Sequence, residues 1–281
     1  MRKVFVLVLA LLALTAASCG GEDEATPTQT AGAGTETTGG GPDVTGLTKE
    51  PGILTVGAEP PAPPFIIPPY PDNPTGFEVD IAKEIGTRLG LETEFMEFVW
   101  TNLFSPAPKP FDFDINETTI TAERDEVVDF SIPYFEANQA VLVHQGTDAE
   151  NVASTADVAG LLLGAQEATT GLSYIRKTIK PSQTERVFPT TAAANQALLN
   201  ETIDAFIIDL PIAAGLVGEN PDELVVVGQF ITNEEWGIVF EEGSPMVEPV
   251  NQVLQEMIDD GTLAELQDKW LPGTTDVPEL Q

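Results

Sequence analysis

Residues 76–90 read GFEVDIAKEIGTRLG, and this stretch decides how the rest of the chain is interpreted. Ile81, Ile85 and Leu89 recur at i, i+4 and i+8, so they share one face of a helix. Lys, Glu, Thr and Arg occupy positions between them, as expected where the other face meets water. The spacing predicts an amphipathic helix that begins at Phe77 and ends at Leu89.

Strand and helix patterns alternate along the chain on both sides of this helix. Short apolar or β-branched runs predict strands at residues 53–57, 92–99, 112–117, 137–144, 161–165, 185–188, 203–208, 224–227 and 236–240. Helical spacing predicts further helices at residues 169–179, 191–199, 247–258 and 262–270, the third of them capped by Ser244. Strands that alternate with helices twice over predict an α/β protein with two mainly parallel sheets, each flanked by helices.

Polar residues directly follow several of the predicted strands. They are Glu59, Glu117, Gln166–Thr170 and Asp209. In α/β sheets, ligands bind beyond the carboxyl ends of the strands and often between domains. We therefore expect these residues to lie around a ligand.

Charge and composition exclude several classes of protein. The 281 residues contain 12 Lys and Arg against 45 Asp and Glu, a formal net charge of −33. Nucleic-acid binding needs a basic surface that displaces counterions from phosphate, and adsorption to anionic lipid needs a basic surface as well. One Cys and one His exclude a disulfide framework and leave almost no basis for a Cys/His zinc site. We expect no metal, no other cofactor and no nucleic-acid partner.

The beginning of the chain predicts export. Residues 1–18 have a positive start at Arg2 and Lys3, followed by an apolar run too short to span a bilayer comfortably. Small residues lead from this run to Cys19, and the sequence there resembles a bacterial lipoprotein cleavage site, in which the Cys becomes the lipidated first residue. The alternative is an ordinary signal peptide with an incidental Cys. Lipidation would anchor the protein on the outer face of the cytoplasmic membrane, without a membrane-spanning helix.

Two further segments lack the pattern of a folded core. Residues 19–51 are rich in Gly, Thr, Ala and acidic residues and contain no aromatic residue, which predicts a flexible tether. Residues 272–281 follow the last predicted helix, and we expect them to form a frayed tail.

Five sequence blocks, in a fixed order, carry a resemblance to a known family. They are Gly76–Ile81, Thr119–Arg124 with Val128–Ser131 and Pro133–Tyr134, Gln166–Gly171, Ile203–Asp209 and Asp260–Trp270. These blocks resemble those of the bacterial extracellular solute-binding proteins of family 3, the polar amino-acid receptors of ABC importers. The resemblance covers residues 52–271. It implies a receptor whose partners are a free amino acid and an ABC transporter permease, and we expect the receptor to be a monomer.

The resemblance also implies a two-lobed clamp, of the type II periplasmic-binding-protein-like fold. Lobe 1 would comprise residues 52–142 and 232–271, and lobe 2 residues 146–230. Strands that cross near 143–145 and 231–236 would form the hinge, and the lobes would close around the ligand.

The resemblance implies roles for several pocket residues. Arg124 matches the residue that binds the ligand carboxylate, for which a guanidinium offers two parallel donors. Asp209 and Thr119 match residues that bind the ligand ammonium, and Trp100 matches an aromatic wall. The remaining residues predicted to bind ligand are Glu59, Asn116, Glu117, Gln166, Thr169 and Thr170.

Each of these roles has a plain structural alternative. Arg124 could be a surface residue at a helix start, although a cation there would oppose the helix dipole. Thr169 and Thr170 match a hydroxyl pair at a helix start that can hold an anion, and the alternative is an ordinary N-cap. Asp209 could likewise cap the helix that begins near Pro211. Trp100 could belong to the core.

Three departures from the family pattern bear on the ligand. Ala62 stands where many relatives have an aromatic ring. Residues 105–110, SPAPKP, stand where the family pattern has a short helix. Prolines at alternate positions cannot continue a helix, so this segment cannot form one. Glu117 replaces a small Gly or Ser.

Two acidic residues bear on the ligand's charge. Glu59 lies where relatives that bind basic side chains carry an Asp, and with Glu117 it would favour a cationic ligand such as Arg, Lys or ornithine. A neutral polar amino acid such as Gln remains open, because Glu59 could point to solvent or Glu117 could pair with Arg124.

Two other functions compete with amino-acid transport. Some relatives of this fold are dehydratases, and Glu59 or Glu117 could serve as a catalytic acid or base. The sequence shows no nucleophile–base pair, and His144 lies in an apolar run that favours a structural role. We therefore predict no catalytic residue. A sensor would need to pass its state to another protein, because the chain contains no signalling domain.

Overall fold

A computed structural model describes residues 41–271 and 277–281. The predicted export signal, Cys19 and residues 19–40 of the predicted tether lie outside the described residues. Within the described ranges, no helix is both long enough and apolar enough to cross a membrane.

The described chain contains ten strands and seven α-helices. The strands are β1 Ile53–Ala58, β2 Glu92–Glu97, β3 Phe113–Asp114, β4 Val128–Phe130, β5 Phe135–His144, β6 Leu163–Gln166, β7 Arg186–Phe188, β8 Ala205–Asp209, β9 Leu224–Trp236 and β10 Val239–Glu241. The helices are α1 Phe77–Leu89, α2 Thr155–Val158, α3 Thr170–Tyr174, α4 Thr191–Leu199, α5 Leu210–Glu219, α6 Val247–Asp259 and α7 Thr262–Trp270. Two 3₁₀ turns lie at Trp100–Asn102 and Asp148–Asn151, and a π-helical turn at Ile175–Ile179 continues α3.

The strands form two five-stranded sheets, in the orders β2-β1-β3-β10-β4 and β7-β6-β8-β5-β9. In each sheet three adjacent strands run parallel, namely β2-β1-β3 in one sheet and β7-β6-β8 in the other. Strands β10 and β5 then join antiparallel. The sheets are therefore mixed, because each lobe receives strands that arrive from the other lobe in the opposite direction.

Helix α1 has the predicted bounds because its sequence carries both the apolar face and the end signal. Ile81 and Ile85 are fully buried against the first sheet, and Leu89 is nearly so. The helix ends at Gly90, whose φ of 70° is a left-handed conformation that glycine adopts without steric cost.

The second sheet is buried on both faces. Alternate residues of β5 enter separate cores: Val141 and Val143 pack on one face, and Ala140 and Leu142 on the other. The side-chain period of two in a strand explains this division, and it explains why the run reads as continuously apolar.

The crossing between the two lobes lies earlier in β5 than predicted. Phe135 and Ala137 pack in the core of the first lobe, whereas β5 pairs with β8 from Gln139 onward. Strand β9 returns from Phe230 in the second core to Trp236 in the first. The assignment of residues 137–142 entirely to lobe 1, and of a crossing to 143–145, was therefore wrong, because one long strand serves both lobes.

The predicted tether ends earlier than Pro51. Val44 is buried in the first core, and Leu47 packs against it. The backbone N–H of Lys49 donates to Asp112 Oδ1 at 2.7 Å. Residues 41–51 therefore belong to the folded unit, because two apolar side chains in a polar segment suffice to dock it.

Residues 272–276 of the predicted tail lie outside the described residues, whereas residues 277–281 are docked rather than frayed. Gln229 in β9 donates its N–H to Pro278 O and accepts from Leu280 N–H, both at 2.8 Å. Leu280 is buried in the second core. Gly228 makes room for it, since a Cβ there would lie 2.5 Å from a Leu280 carbon. Residues 277–281 thus cover part of the edge of β9, which would otherwise expose unpaired backbone groups.

We expect Leu280→Ala to lower the free energy of unfolding by about 2–3 kcal/mol, because it deletes a buried side chain and leaves a cavity. Chemical denaturation of the purified protein measures the change. Ile258→Ala is the matched control, because Ile258 is 42% exposed and its truncation should cost far less. Equal effects of the two substitutions would show that the docked tail contributes nothing to stability.

Candidate ligand-binding site

A cavity of about 140 Å³ lies between the two sheets. The first lobe contributes the loop after β1, the 3₁₀ turn at Trp100 and the loop after β3. The second lobe contributes the ends of β6 and β8 and the starts of α3 and α4. Ten lining residues are those predicted from the sequence: Glu59, Trp100, Asn116, Glu117, Thr119, Arg124, Gln166, Thr169, Thr170 and Asp209. The fold therefore brings all of them around one space, and their roles in binding remain predictions.

Three direct hydrogen bonds close the lobes over this cavity. Gln166 Nε2 donates to Glu59 Oε2 at 2.9 Å. Trp100 Nε1 donates to Glu167 O at 3.0 Å, and Arg124 Nη2 donates to Ala168 O at 3.0 Å. The donors and acceptors lie on opposite lobes, so this is a closed arrangement of the clamp.

Arg124 is buried rather than on the surface. Nη1 donates to Thr119 O at 2.7 Å, and the guanidinium carbon lies 5.1 Å from the ring centre of Trp100 and 4.6 Å from that of Phe104. Burial lowers the pKa of Arg124 to about 10, against the opposing effect of Asp209 and other acidic neighbours. The side chain therefore stays cationic at neutral pH, and the aromatic faces stabilise that charge.

Asp209 ends β8 and meets a network that the sequence did not predict. Gln139 Nε2 donates to Asp209 Oδ1, to Glu234 Oε1 at 3.0 Å and to Thr170 Oγ1 at 3.3 Å. Burial first and Glu234 second raise the pKa of Asp209 well above its usual range, while Arg124 lowers it. Asp209 stands at the N-cap position of α5 but makes no capping hydrogen bond. Its carboxylate is therefore turned toward the cavity rather than used by the helix.

The hydroxyl groups near the cavity have protein partners. Thr169 caps α3, because its Oγ1 accepts from Leu172 N at 3.2 Å. Thr119 Oγ1 donates to Glu234 Oε2 at 2.7 Å. Gln166 is fixed from its other side by Thr191, whose hydroxyl donates to Gln166 Oε1 at 2.7 Å. These bonds orient the side chains that face the cavity.

Glu59 and Trp100 are linked to each other. The backbone N–H of Trp100 donates to Glu59 Oε1 at 3.0 Å, so Glu59 lines the cavity rather than pointing to solvent. Trp100 is 6% exposed and packs with Phe104, with ring centres 5.2 Å apart. Trp100 is therefore both part of a small core and a wall of the cavity.

Glu117 differs from the other carboxylates of the cavity. It is 8% exposed, and its Oε1 has no hydrogen-bond partner among the described residues. Its backbone is left-handed, with φ 46°. Within the described part of the chain, the ion pairs do not include Glu117 with Arg124. The carboxylate thus faces the cavity without a counter-charge.

Comparison with known proteins fits this geometry. Residues 54–273 match the family model of bacterial extracellular solute-binding proteins, family 3. This chain belongs to that family. The L-cystine-binding protein TcyJ of Escherichia coli (strain K12) is 31% identical over 224 residues, 79% of this chain and 84% of that protein. The ABC transporter glutamine-binding protein GlnH of Bacillus subtilis (strain 168) is 31% identical over 201 residues, 70% of this chain and 72% of that protein.

A solved structure agrees in fold. The ancestral amino-acid-binding protein AncCDT-1, described as a precursor of cyclohexadienyl dehydratase and also as a cationic amino acid solute-binding protein, aligns with a TM-score of 0.70 and 31% identity. The alignment covers 78% of this chain and 96% of the ancestral protein. The fold of this family 3 protein is therefore the type II fold of periplasmic amino-acid-binding proteins.

Two of the departures from the family pattern, Ala62 and the proline-rich loop at 105–110, lie in the described part of the first lobe. Ala62 lines the cavity without an aromatic ring. The proline-rich loop at 105–110 is held by Lys109, whose Nζ donates to Ser105 O at 2.7 Å and to Asn102 O at 3.0 Å. Lys109 is only 4% exposed, so in this family 3 protein a buried cation ties the loop to the preceding 3₁₀ turn.

Sequence reasoning missed three polar residues that organise the site, namely Glu78, Gln139 and Glu234. Gln139 is fully buried in β5, between Asn138 and the apolar residues 140–143, and a polar residue at the start of that apolar run was the available signal. Glu78 is fully buried at the start of α1, inside a block that the family resemblance had already quoted. His144, in contrast, ends β5 and is not among the described residues that line the cavity.

Proposed function

We propose that this chain is an exported receptor that binds a free amino acid between its two lobes and delivers it to the permease of an ABC importer. A cationic side chain, as in Arg, Lys or ornithine, is the favoured ligand class. The observation that carries this preference is that Glu117 lines the cavity on the same lobe as Glu59, while its buried Oε1 has no hydrogen-bond partner among the described residues. A buried carboxylate without a counter-charge is costly, and a ligand cation would remove that cost.

The head group of the ligand has its own partners. The α-carboxylate would take the guanidinium of Arg124, which is cationic and held by two aromatic faces. The α-ammonium would take Asp209 and Glu234, which share Gln139 as their donor. Two carboxylates near one ammonium site suit a zwitterion, because the ligand supplies the positive charge that the pair lacks.

A neutral ligand such as Gln is the second candidate. The specific observation in its favour is that burial raises the pKa of Glu117, so a protonated carboxyl could donate a hydrogen bond to an amide carbonyl. Relatives that are described as binding cystine and glutamine show that the family is not restricted to cationic ligands.

We propose that the protein is a binding protein and not an enzyme. The family is one of solute-binding proteins, although one structural neighbour is described as the precursor of a dehydratase.

We also propose that the protein is a monomer and that a lipid on Cys19 anchors it to the membrane. Globomycin-sensitive processing and labelling with a fatty-acid probe would test the anchor, and a Cys19→Ala variant that keeps the label would contradict it.

The ligand is tested by a thermal-shift screen of the purified protein against arginine, lysine, ornithine, glutamine, cystine and citrulline. A ligand at a hundredfold excess over its Kd adds about 2.7 kcal/mol to the free energy of unfolding, so it should stand out from the panel. We expect the largest shift with one of the three cationic amino acids. A shift with glutamine and none with arginine, lysine or ornithine would overturn the cationic preference.

A further inference from the structure

The peptide at Glu117 is held by a buried carboxylate. Glu117 adopts a left-handed backbone, and its N–H donates to Glu78 Oε1 at 2.8 Å. The hydroxyl of Tyr134 donates to the same Glu78 oxygen. Non-glycine residues rarely adopt this conformation, and they do so where surrounding contacts determine it. Glu78 and Tyr134 thus fix the backbone from which the Glu117 side chain reaches the cavity.

Behind this wall lies a group of buried carboxyl groups, Glu78, Asp114 and Glu117. They are 0%, 1% and 8% exposed. One oxygen of each, Glu78 Oε2, Asp114 Oδ1 and Glu117 Oε1, has no hydrogen-bond partner among the described residues. The free-energy cost of burying unpaired carboxylates is lowered in either of two ways: the carboxyls keep their protons, or a cation binds beside them.

The charged groups that face Glu117 come from both lobes. Glu78 from α1, Asp114 from β3, Glu59 after β1 and Asp209 after β8 are all acidic. Burial first, and then these four neighbours, raise the pKa of Glu117 well above its usual range.

The groups beside these acids also shape the charge of the wall. Burial raises the pKa of Glu78 to about 7, against the lowering effect of its bond from Tyr134. Burial first, and then Glu78 and Glu59, raise the pKa of Asp114 well above its usual range, and Lys109 opposes this only in part. Arg124 is turned to backbone carbonyls and lies near Asp209 and Glu234.

We propose that Glu117 holds a proton in the empty receptor and releases it when a cationic amino-acid side chain enters the cavity. The inference rests on the proposed function, because it requires a cationic ligand. The O–H bond of the Glu117 carboxyl breaks, its proton passes to bulk water or buffer, and the resulting carboxylate pairs with the side-chain cation. Loading a cationic amino acid therefore exchanges one positive charge for another at the buried wall.

The exchange makes selectivity depend on pH. A neutral side chain that carries a carbonyl, such as that of citrulline, accepts a hydrogen bond from the protonated Glu117 and releases no proton there. For arginine, affinity should rise by up to tenfold per pH unit between the pKa of Glu117 in the complex and its higher pKa in the empty receptor. Above that window the affinity should be constant, because Glu117 is already ionised.

Isothermal titration calorimetry of the full protein provides the test. Arginine and citrulline have the same shape but differ in charge, and each is titrated in two buffers with different enthalpies of ionisation. The difference between buffers gives the number of protons released. Asp209 faces the α-ammonium, which both ligands carry, so its contribution to proton release cancels in the comparison. We expect arginine to release up to one proton more than citrulline near neutral pH.

The variant Glu117→Gln identifies the group that carries the proton. It keeps the size of the side chain and cannot ionise, so the excess release with arginine should disappear and arginine affinity should fall more than citrulline affinity. An excess that persists in this variant would place the proton on another carboxyl and overturn the assignment. Where the variant does not fold, the arginine-to-citrulline affinity ratio of the unaltered protein decides, since a ratio independent of pH overturns the coupling.

The outcomes separate the two proposals. Binding of arginine with no more proton release than citrulline overturns the proton exchange and leaves the proposed cationic receptor in place. Failure of arginine, lysine and ornithine to bind at any pH overturns both.

Discussion

Arg124→Ala should reduce ligand affinity at least about a hundredfold, equivalent to ~2.7 kcal/mol. The guanidinium is the only arginine or lysine side chain among the described residues that line the cavity, and it is held in a fixed orientation by Thr119 O and Ala168 O. Removal of one partner of a desolvated charge pair commonly costs about 2–5 kcal/mol of binding free energy, because the other charge stays buried without a partner. Calorimetric titration with the ligand selected by the screen measures the loss.

The variant also removes a contact between the lobes, so its fold needs a separate check. Circular dichroism and the unfolding transition of the empty protein provide it. Arg124→Lys keeps the charge but loses the planar pair of donors, and we expect about a tenfold loss of affinity. Arg176→Ala is the matched control, since Arg176 forms an exposed ion pair with Glu185 outside the cavity. An affinity unchanged in folded Arg124→Ala would refute the assignment of the carboxylate site.

The sequence predicted elements where one local signal dominates. Helix α1 has the predicted bounds because its period and its terminal Gly90 agree. Six of the ten lining residues could be predicted because side chains that follow strands converge at one edge of a sheet. They are Glu59, Glu117, Gln166, Thr169, Thr170 and Asp209. The family resemblance supplied Arg124, Thr119 and Trp100.

Other features depend on which way a side chain points, and a sequence pattern does not contain that information. Gln139 directly follows another polar residue, Asn138, in β5, and the sequence pattern does not indicate that its side chain joins Asp209 to Glu234. Glu234 lies in the polar segment TNEEW at residues 232–236, where the family resemblance implies a crossing strand of the hinge but does not indicate that Glu234 meets Gln139. In the structure this segment is the hinge part of β9, and its pairing partner in β5 is about a hundred residues distant along the chain.

The docked termini illustrate the same limit. Val44 and Leu280 are among the few apolar residues within polar segments, and burial of each is decided by a surface far away in sequence. Composition alone favours a tether and a tail there, because it averages over the few residues that dock.

Asp209→Asn should lower ligand affinity at least about thirtyfold, ~2 kcal/mol, and should stabilise the empty receptor. Affinity falls because Asn keeps the shape of the side chain but offers no charge to the ligand ammonium. Gln139 can still donate to the Asn carbonyl oxygen, so the network loses the charge and not the hydrogen bond. Titration calorimetry measures the first effect, and chemical denaturation without ligand measures the second.

The sign of the stability change follows from proton linkage. The pKa of Asp209 is raised in the folded protein by burial and by Glu234. Between its unfolded value near 3.9 and its folded value, the folded state holds a proton that the unfolded state has lost, so the stability of the empty receptor falls as pH rises. Asp209→Asn removes this loss. The gain over the unaltered protein should therefore be absent near pH 3 and present at neutral pH.

Asp222→Asn is the matched control, because Asp222 is exposed and makes no hydrogen bond through its side chain among the described residues. It should change neither affinity nor the pH dependence of stability. Asp209→Asn with full affinity would show that the ammonium site lies elsewhere. If the free energy of unfolding depends on pH in the same way with Asp and with Asn at position 209, the ionised carboxyl is no less favourable in the folded state than in the unfolded state. The two measurements fail independently, so together they test whether this receptor keeps an unfavourable buried acid for the sake of its ligand.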